Sequence, residues 1–138
     1  AADGVVCAGD PALATNRAAG RGVRVEHWGD ALRQGEIAGR TLAGADDAWD
    51  EVPGFWSTVG QRTLKQAAWG DGWDVVEIDA DARGFTAWYG RDGAIVGVLT
   101  HERDLDYGAG GRMVRRAAAW PFSAPAASRR GGPRADAR

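Results

Sequence analysis

The apolar positions of this chain change period along its length. Residues 4–9 form a run of small apolar side chains, the pattern of a buried strand. Residues 10–22 carry Pro11, Asn16, Gly20 and Gly22 and read as a loop, after which Val23 and Val25 define a second short strand. Residues 29–43 then predict a helix, with Asp30 as N-cap and Gly44 as the stop. Ala31, Gly35, Ala38 and Leu42 fall on one face, and Arg33, Glu36 and Arg40 on another. Gly35 and Gly39 cost about 1 kcal/mol each relative to Ala in a helix, which points either to close approach by a sheet or ligand or to tolerated glycines in a Gly-rich chain. Residues 45–61 form a polar loop carrying Trp49, Pro53, Phe55 and Trp56.

Beyond that loop the punctuation becomes that of strands. Residues 62–69, 73–79, 84–89 and 93–100 are short blocks, with Gly70-Asp71-Gly72 and Gly90-Arg91-Asp92-Gly93 as turn signals. Phe85, Ala87 and Tyr89 alternate with Thr86 and Trp88, so the blocks predict an antiparallel meander. Trp69, Trp73 and Trp88 are assigned to its core. A last helix over 103–118 places Leu105, Ala109 and Met113 on one face, flanked by Val114 and Ala117 and weakened by Gly108, Gly110 and Gly111. Asp104 and Asp106 suit its N-terminus and are not read as a paired general acid and base. The fold class is α+β: an antiparallel β-meander sheet packed with a C-terminal helix.

Composition narrows the function classes. A length of 138 residues and a net charge of -2 allow one domain with a modest core and argue against nucleic-acid binding. Residues 121–138 hold four Arg and one Asp and read as a disordered basic tail. Cys7 is the only cysteine, which excludes an intrachain disulfide and a Cys-x-x-Cys pair. His27 and His101 belong to different elements, so no metal site is expected. No apolar run reaches about 18 residues, so no membrane span is expected. Ala1-Ala2-Asp3 does not open a signal peptide, and the setting expected is soluble, reducing and cytoplasmic.

Three segments carry chemistry. They are Gly4-Val5-Val6-Cys7-Ala8-Gly9-Asp10, then Val23-Arg24-Val25-Glu26-His27-Trp28, then Val52-Pro53-Gly54-Phe55-Trp56-Ser57. In this order they resemble the C-terminal part of the FAD-dependent, NAD(P)H-dependent ferredoxin and rubredoxin reductases, an architecture shared by apoptosis-inducing factor. The resemblance runs from about Gly4 to Ala118. It implies that the first strands and helix are the last strand and helix of an FAD-binding Rossmann-type domain. It further implies that Asp10, beside Gly9, accepts hydroxyls of the ribityl chain, and that the amides of Trp28 and Gly29 face the flavin N1 and C2=O. His27 joins this cofactor-binding set. Trp56 borders the isoalloxazine where the nicotinamide approaches, or else anchors the second domain's core. No residue is assigned a catalytic role.

The chain departs from the family in two respects. Ser57-Thr58-Val59-Gly60 replaces the usual Ser-Asp-Gln-Tyr, which bears on the partner. No G-x-G-x-x-G follows a strand, so both dinucleotide folds are expected upstream of position 1. The domain plan is 1–44 as the remnant of the FAD domain, 45–61 as linker, 62–120 as the reductase C-terminal domain and 121–138 as tail. The function implied is transfer of electrons from NAD(P)H through FAD to a ferredoxin- or rubredoxin-like carrier, with the chain alone expected to be inactive. The alternative is a non-catalytic dimerisation or partner-docking module. A homodimer is compatible with both.

Overall fold

The computed structural model describes residues 4–122. A short hairpin of β1 (Ala14–Asn16) and β2 (Arg21–Val23) opens the chain, followed by helix α1 (Trp28–Leu42). Then come β3 (Gly54–Val59), β4 (Arg62–Ala68), β5 (Val75–Ala80), β6 (Phe85–Arg91) and β7 (Ala94–His101), and helix α2 (Asp104–Arg115) closes the fold. The last five strands form one antiparallel sheet in the order β3-β4-β7-β6-β5. The α+β class and the antiparallel sheet with its C-terminal helix are as the sequence indicates.

Local chemistry explains the sheet's turns. Between β6 and β7 the two loop residues Asp92 and Gly93 have φ of 52° and 77°, the positive angles that an Asp-Gly hairpin of the I′ kind requires. Between β5 and β6 the Asp81 carboxylate accepts the backbone N–H groups of Arg83 at 2.8 Å and Gly84 at 3.1 Å. Arg103 adds an ion pair to the same carboxylate at 3.0 Å.

α2 lies across one sheet face. Val114 and Gly110 point inward, and Gly110 rests on Val98 of the central strand β7. The Thr86 hydroxyl donates to Asp106 at 2.5 Å, which ties the helix start to β6. Ile95, Val98, Val114, Ala67 and Ala87 form the core of this unit. The chain then returns along β7: Ile95 N–H donates to Ala118 and Trp120 N–H to Gly93, each at 2.8 Å. Trp120 and Phe122 meet edge to face with centroids 4.9 Å apart.

The N-terminal third is tied together through one buried asparagine. Asn16 is fully buried; its Nδ2 donates to the Glu51 carbonyl at 2.8 Å and its Oδ1 accepts the Ala19 N–H at 3.0 Å. Arg17 N–H donates to the Trp49 carbonyl at 2.8 Å, and Trp49 is itself buried.

Several expectations are corrected. Residues 4–8 are not a strand, because no neighbouring strand pairs with them. The 10–22 loop contains β1 and the start of β2, while Val25 lies beyond the end of β2. The span assigned as linker contains β3, an edge strand whose side chains from Phe55 to Val59 are exposed. The sheet is not a simple meander, since the β3–β4 hairpin pairs onto β7.

In α1 the N-cap is His27, and Asp30 lies inside the helix and is buried. The inward face carries Asp30 and Gln34, whereas Leu42 and Gly35 are exposed. Gly44 does stop the helix: its N–H donates to the Thr41 carbonyl and that of Ala45 to Arg40, a Schellman closure. In α2 Leu105 is 89% exposed, and Ala117, just past the helix end, is exposed, whereas Val114, flanking the face named from the sequence, is buried, so the packed side is turned toward Gly110 and Val114. Trp73 is exposed and Trp69 and Trp88 are half-buried, while Trp49 takes the core position. Of the tail, residues 123–138 lie outside the described residues.

Candidate functional site

The site is built around the first two turns of α1. Its N-cap, His27, is extended (φ -145°, ψ 139°) and its side chain makes no capping hydrogen bond. The first N–H groups of a helix have no partner within it, and here no N-cap side chain takes them. The amides of Trp28 and Gly29 are therefore donors with the partial positive charge of a helix start. Trp28 is 74% exposed.

β3 comes alongside this helix start. The His27 ring lies 5.4 Å from Phe55 and 6.4 Å from Trp56, centroid to centroid. Trp56 is 61% exposed, so it is not the core anchor considered from sequence. A cavity of about 350 Å³ opens between the chain entering α1 and the sheet, lined by Arg24, Glu26, His27, Phe55, Gln66 and Trp69 among others.

Gly9 and Asp10 sit against the same helix. Gly9 has φ of +81° and its Cα faces Ala31; a Cβ there would stand 3.6 Å from the Ala31 Cβ. Its N–H donates to Gln34 Oε1 at 3.0 Å, and its carbonyl accepts the N–H of the buried Ala12 at 2.9 Å. Asp10 is exposed at the tip of the turn so formed. The structure thus gathers all six residues named from the sequence around α1: His27, Trp28, Gly29 and Trp56 at its start, Gly9 and Asp10 on its flank.

On α1 Gln34 escaped the sequence reading, and Asp30 entered it only as the N-cap. Asp30 and Gln34 are buried and lie one turn apart on the inward face. Burial pushes the Asp30 carboxyl up; His27, with Nδ1 3.8 Å away, opposes this, Glu51 adds to it, and the Gly54 amide opposes it. His27 Nδ1, Asp30 Oδ2 and Gln34 Nε2 are buried without a hydrogen-bond partner. The available signal was two polar residues at i, i+4 on a helix, which ordinarily marks a solvent face. The site thus brings together helix-start amides with no side-chain cap, an exposed Trp beside them and a turn tipped by the Asp10 carboxylate. Among the described residues no cluster of three or more His, Cys, Asp or Glu could hold a metal ion. No described helix is long and apolar enough to cross a membrane.

The architecture, an antiparallel sheet with one covering helix, is that of a reductase C-terminal domain. No family model matches the chain. It is 35% identical over 113 residues to the ferredoxin–NAD(+) reductase component of the anthranilate 1,2-dioxygenase system of Burkholderia cepacia, across 80% of this chain and 28% of that protein. It is 26% identical over 104 residues to apoptosis-inducing factor 3 of Mus musculus, across 70% of this chain and 17% of that protein. The crystal structure of a ferredoxin reductase from Rhodopseudomonas palustris superposes with a TM-score of 0.71 at 27% identity, across 82% of this chain and 28% of that one. The homologues of this chain are therefore ferredoxin–NAD(P)+ reductases and apoptosis-inducing factor 3, and the chain corresponds to a C-terminal part of such proteins. It spans 28% of the length of the reductase it matches in Burkholderia cepacia.

Proposed function

We propose that this chain is the C-terminal portion of a flavin-dependent oxidoreductase that passes electrons from NAD(P)H through FAD to a ferredoxin-like iron–sulfur protein in the cytoplasm. The observation that carries the reading is the uncapped start of α1, with Trp28 and Trp56 exposed near His27 and the Gly9–Asp10 turn held on the same helix. FAD would supply two-electron acceptance from a nicotinamide and one-electron release to an iron–sulfur centre. The chain's own part is electrostatic and positional. The Trp28 and Gly29 amides would favour negative charge on the reduced ring, by the physics that binds anions at helix starts. Asp10 would accept hydroxyl hydrogen bonds, and the Trp56 ring would border the flavin. On this reading 1–44 completes a flavin domain and 62–120, joined by β3, forms the second domain.

The test is a chimera in which this chain replaces the matching segment of the Burkholderia cepacia reductase. The expected product is yellow, with stoichiometric flavin after gel filtration and NADH-driven reduction of a ferredoxin. The isolated chain mixed with FAD should elute colourless, because the pyrophosphate-binding glycine turn is not in it. A chimera that melts cooperatively but carries no flavin refutes the reading.

One observation favours the rival, a docking or dimerisation module. Val76 and Ile78 on β5 and the neighbouring Trp73 are exposed apolar side chains. That reading expects a colourless chimera and a chain whose sedimentation depends on concentration.

A further inference from the structure

We infer that Gln34 is a positioning residue: its side-chain oxygen clamps the Gly9–Asp10 turn onto α1 so that the Asp10 carboxylate is presented to the hydroxyls of the bound cofactor. The inference rests on the flavin reading above and adds to it a residue that never touches the cofactor's reactive ring.

The geometry is that of a clamp with two jaws. On one side Gln34 Oε1 accepts the Gly9 N–H at 3.0 Å across 25 residues of sequence. On the other side the Gly9 carbonyl accepts the N–H of Ala12, which is 3% exposed and so fixed in the core. Between these anchors Asp10 has no described hydrogen bond of its own to a side chain or backbone and projects into solvent. Its direction is therefore set by the two bonds that flank it. Gly9 can enter this turn because its φ of +81° is open to glycine and its Cα sits over Ala31.

The amide orientation of Gln34 follows from the partner. Gly9 offers a donor, so an oxygen must face it; turning the amide over would set donor against donor. Gln34 is 5% exposed, so its side chain cannot exchange this bond for water. Its Nε2 is buried without a partner, which leaves the bond to Gly9 as the described polar contact of that side chain. A buried side chain that forgoes half its hydrogen-bonding capacity to hold one backbone amide beside an exposed carboxylate is poorly explained by stability alone.

The test uses amide exchange in the 138-residue chain and flavin affinity in the chimera described above. Gln34→Met removes the acceptor while keeping length, Gln34→Asn withdraws it by one carbon, and Gln34→Glu restores an acceptor oxygen. In the chain, the Gly9 amide should be protected and should exchange roughly tenfold faster in the Met and Asn variants, a change of about 1.4 kcal/mol, with Glu nearer the parent. In the chimera, Gln34→Met should raise the FAD dissociation constant about tenfold. Combined with Asp10→Ala it should bind FAD no more weakly than Asp10→Ala alone, because a clamp has nothing to aim once the carboxylate is gone. Unchanged Gly9 exchange in both the Met and Asn variants overturns the clamp. Losses of affinity that multiply in the double variant overturn its action through Asp10. A colourless parent chimera with the Gly9 effect intact overturns the flavin reading itself and reduces Gln34 to a structural tie.

Discussion

Three glycines in α2 should respond to alanine with opposite signs, and Gly110→Ala is the decisive case. A Cβ at Gly110 would lie 2.5 Å from Cγ1, 2.7 Å from Cβ and 2.9 Å from Cγ2 of Val98. Carbon atoms in contact settle at about 3.5–4.0 Å, so either α2 or Val98 must move by the best part of an ångström. Val98 cannot give easily. It is fully buried, β-branched and paired on both sides, with Ala67 on β4 and Trp88 on β6. Shifting α2 instead would strain the Thr86–Asp106 hydrogen bond at the helix start. Overpacking of this kind costs roughly 1–3 kcal/mol, and the geometry argues for the upper half. Alanine returns about 1 kcal/mol of helix propensity, leaving a net loss of about 1–2 kcal/mol.

Gly108 and Gly111 are the controls. A Cβ at Gly108 would meet only the end of Arg112 at 3.6 Å, and one at Gly111 only the Ala67 Cβ at 3.8 Å. Both alanine variants should therefore gain part of the roughly 1 kcal/mol of propensity. Urea denaturation followed by tryptophan fluorescence measures all three, provided the denaturant slopes agree. Val98→Ala removes both γ-carbons, so the double variant with Gly110→Ala should lose about 1 kcal/mol less than the sum of the singles. If Gly110→Ala is as stable as the parent, the close approach of helix to sheet is not what demands glycine there.

Two carboxylates make further tests by pH. Backbone N–H groups of Arg83 and Gly84, then the charges of Arg103 and Arg83, hold Asp81 down to about 2, below its ordinary value. A carboxyl lowered in the folded state stabilises above its unfolded pKa of about 4, and that contribution is lost as pH falls toward the folded value. Stability measured from pH 5 to pH 2 should fall less steeply in Asp81→Asn than in the parent; equal slopes would count against the turn geometry. Asp30 has the opposite sign: burial raises it, so its ionised form opposes folding once pH exceeds the unfolded value of about 4. Asp30→Asn should be more stable than the parent at pH 7 and lose that advantage below pH 4. A less stable Asn variant at pH 7 would mean that His27 and the Gly54 amide more than compensate the buried charge.

Local chemistry made much of this protein readable from its residues. Asp92-Gly93 specifies a hairpin because its backbone must take positive φ, and Gly44 ends α1 because two carbonyls of the last turn need a Schellman closure. The three segments around Asp10, His27 and Trp56 carried the family resemblance, and the homologues agree with it. What failed was whatever depended on a distant neighbour. Residues 4–8 have a strand's composition but no strand beside them to take their hydrogen bonds. β3 looks like a loop because its side chains are exposed; its pairing with β4 makes it a strand. Asp30 reads as an N-cap and Gln34 carries no assignment, yet both face inward because β3 comes alongside α1 and the Gly9 turn folds onto it. Gly110 read as a weakness in a helix and is the point where that helix touches the sheet. Tight turns and the Gly44 helix stop are decided within a few residues, so sequence suffices for them, whereas the start of α1 falls at His27 and not at Asp30. Which face is buried, which strand is paired and which polar group finds a partner are decided by contacts across 25 residues or more, and only the tertiary structure supplies those.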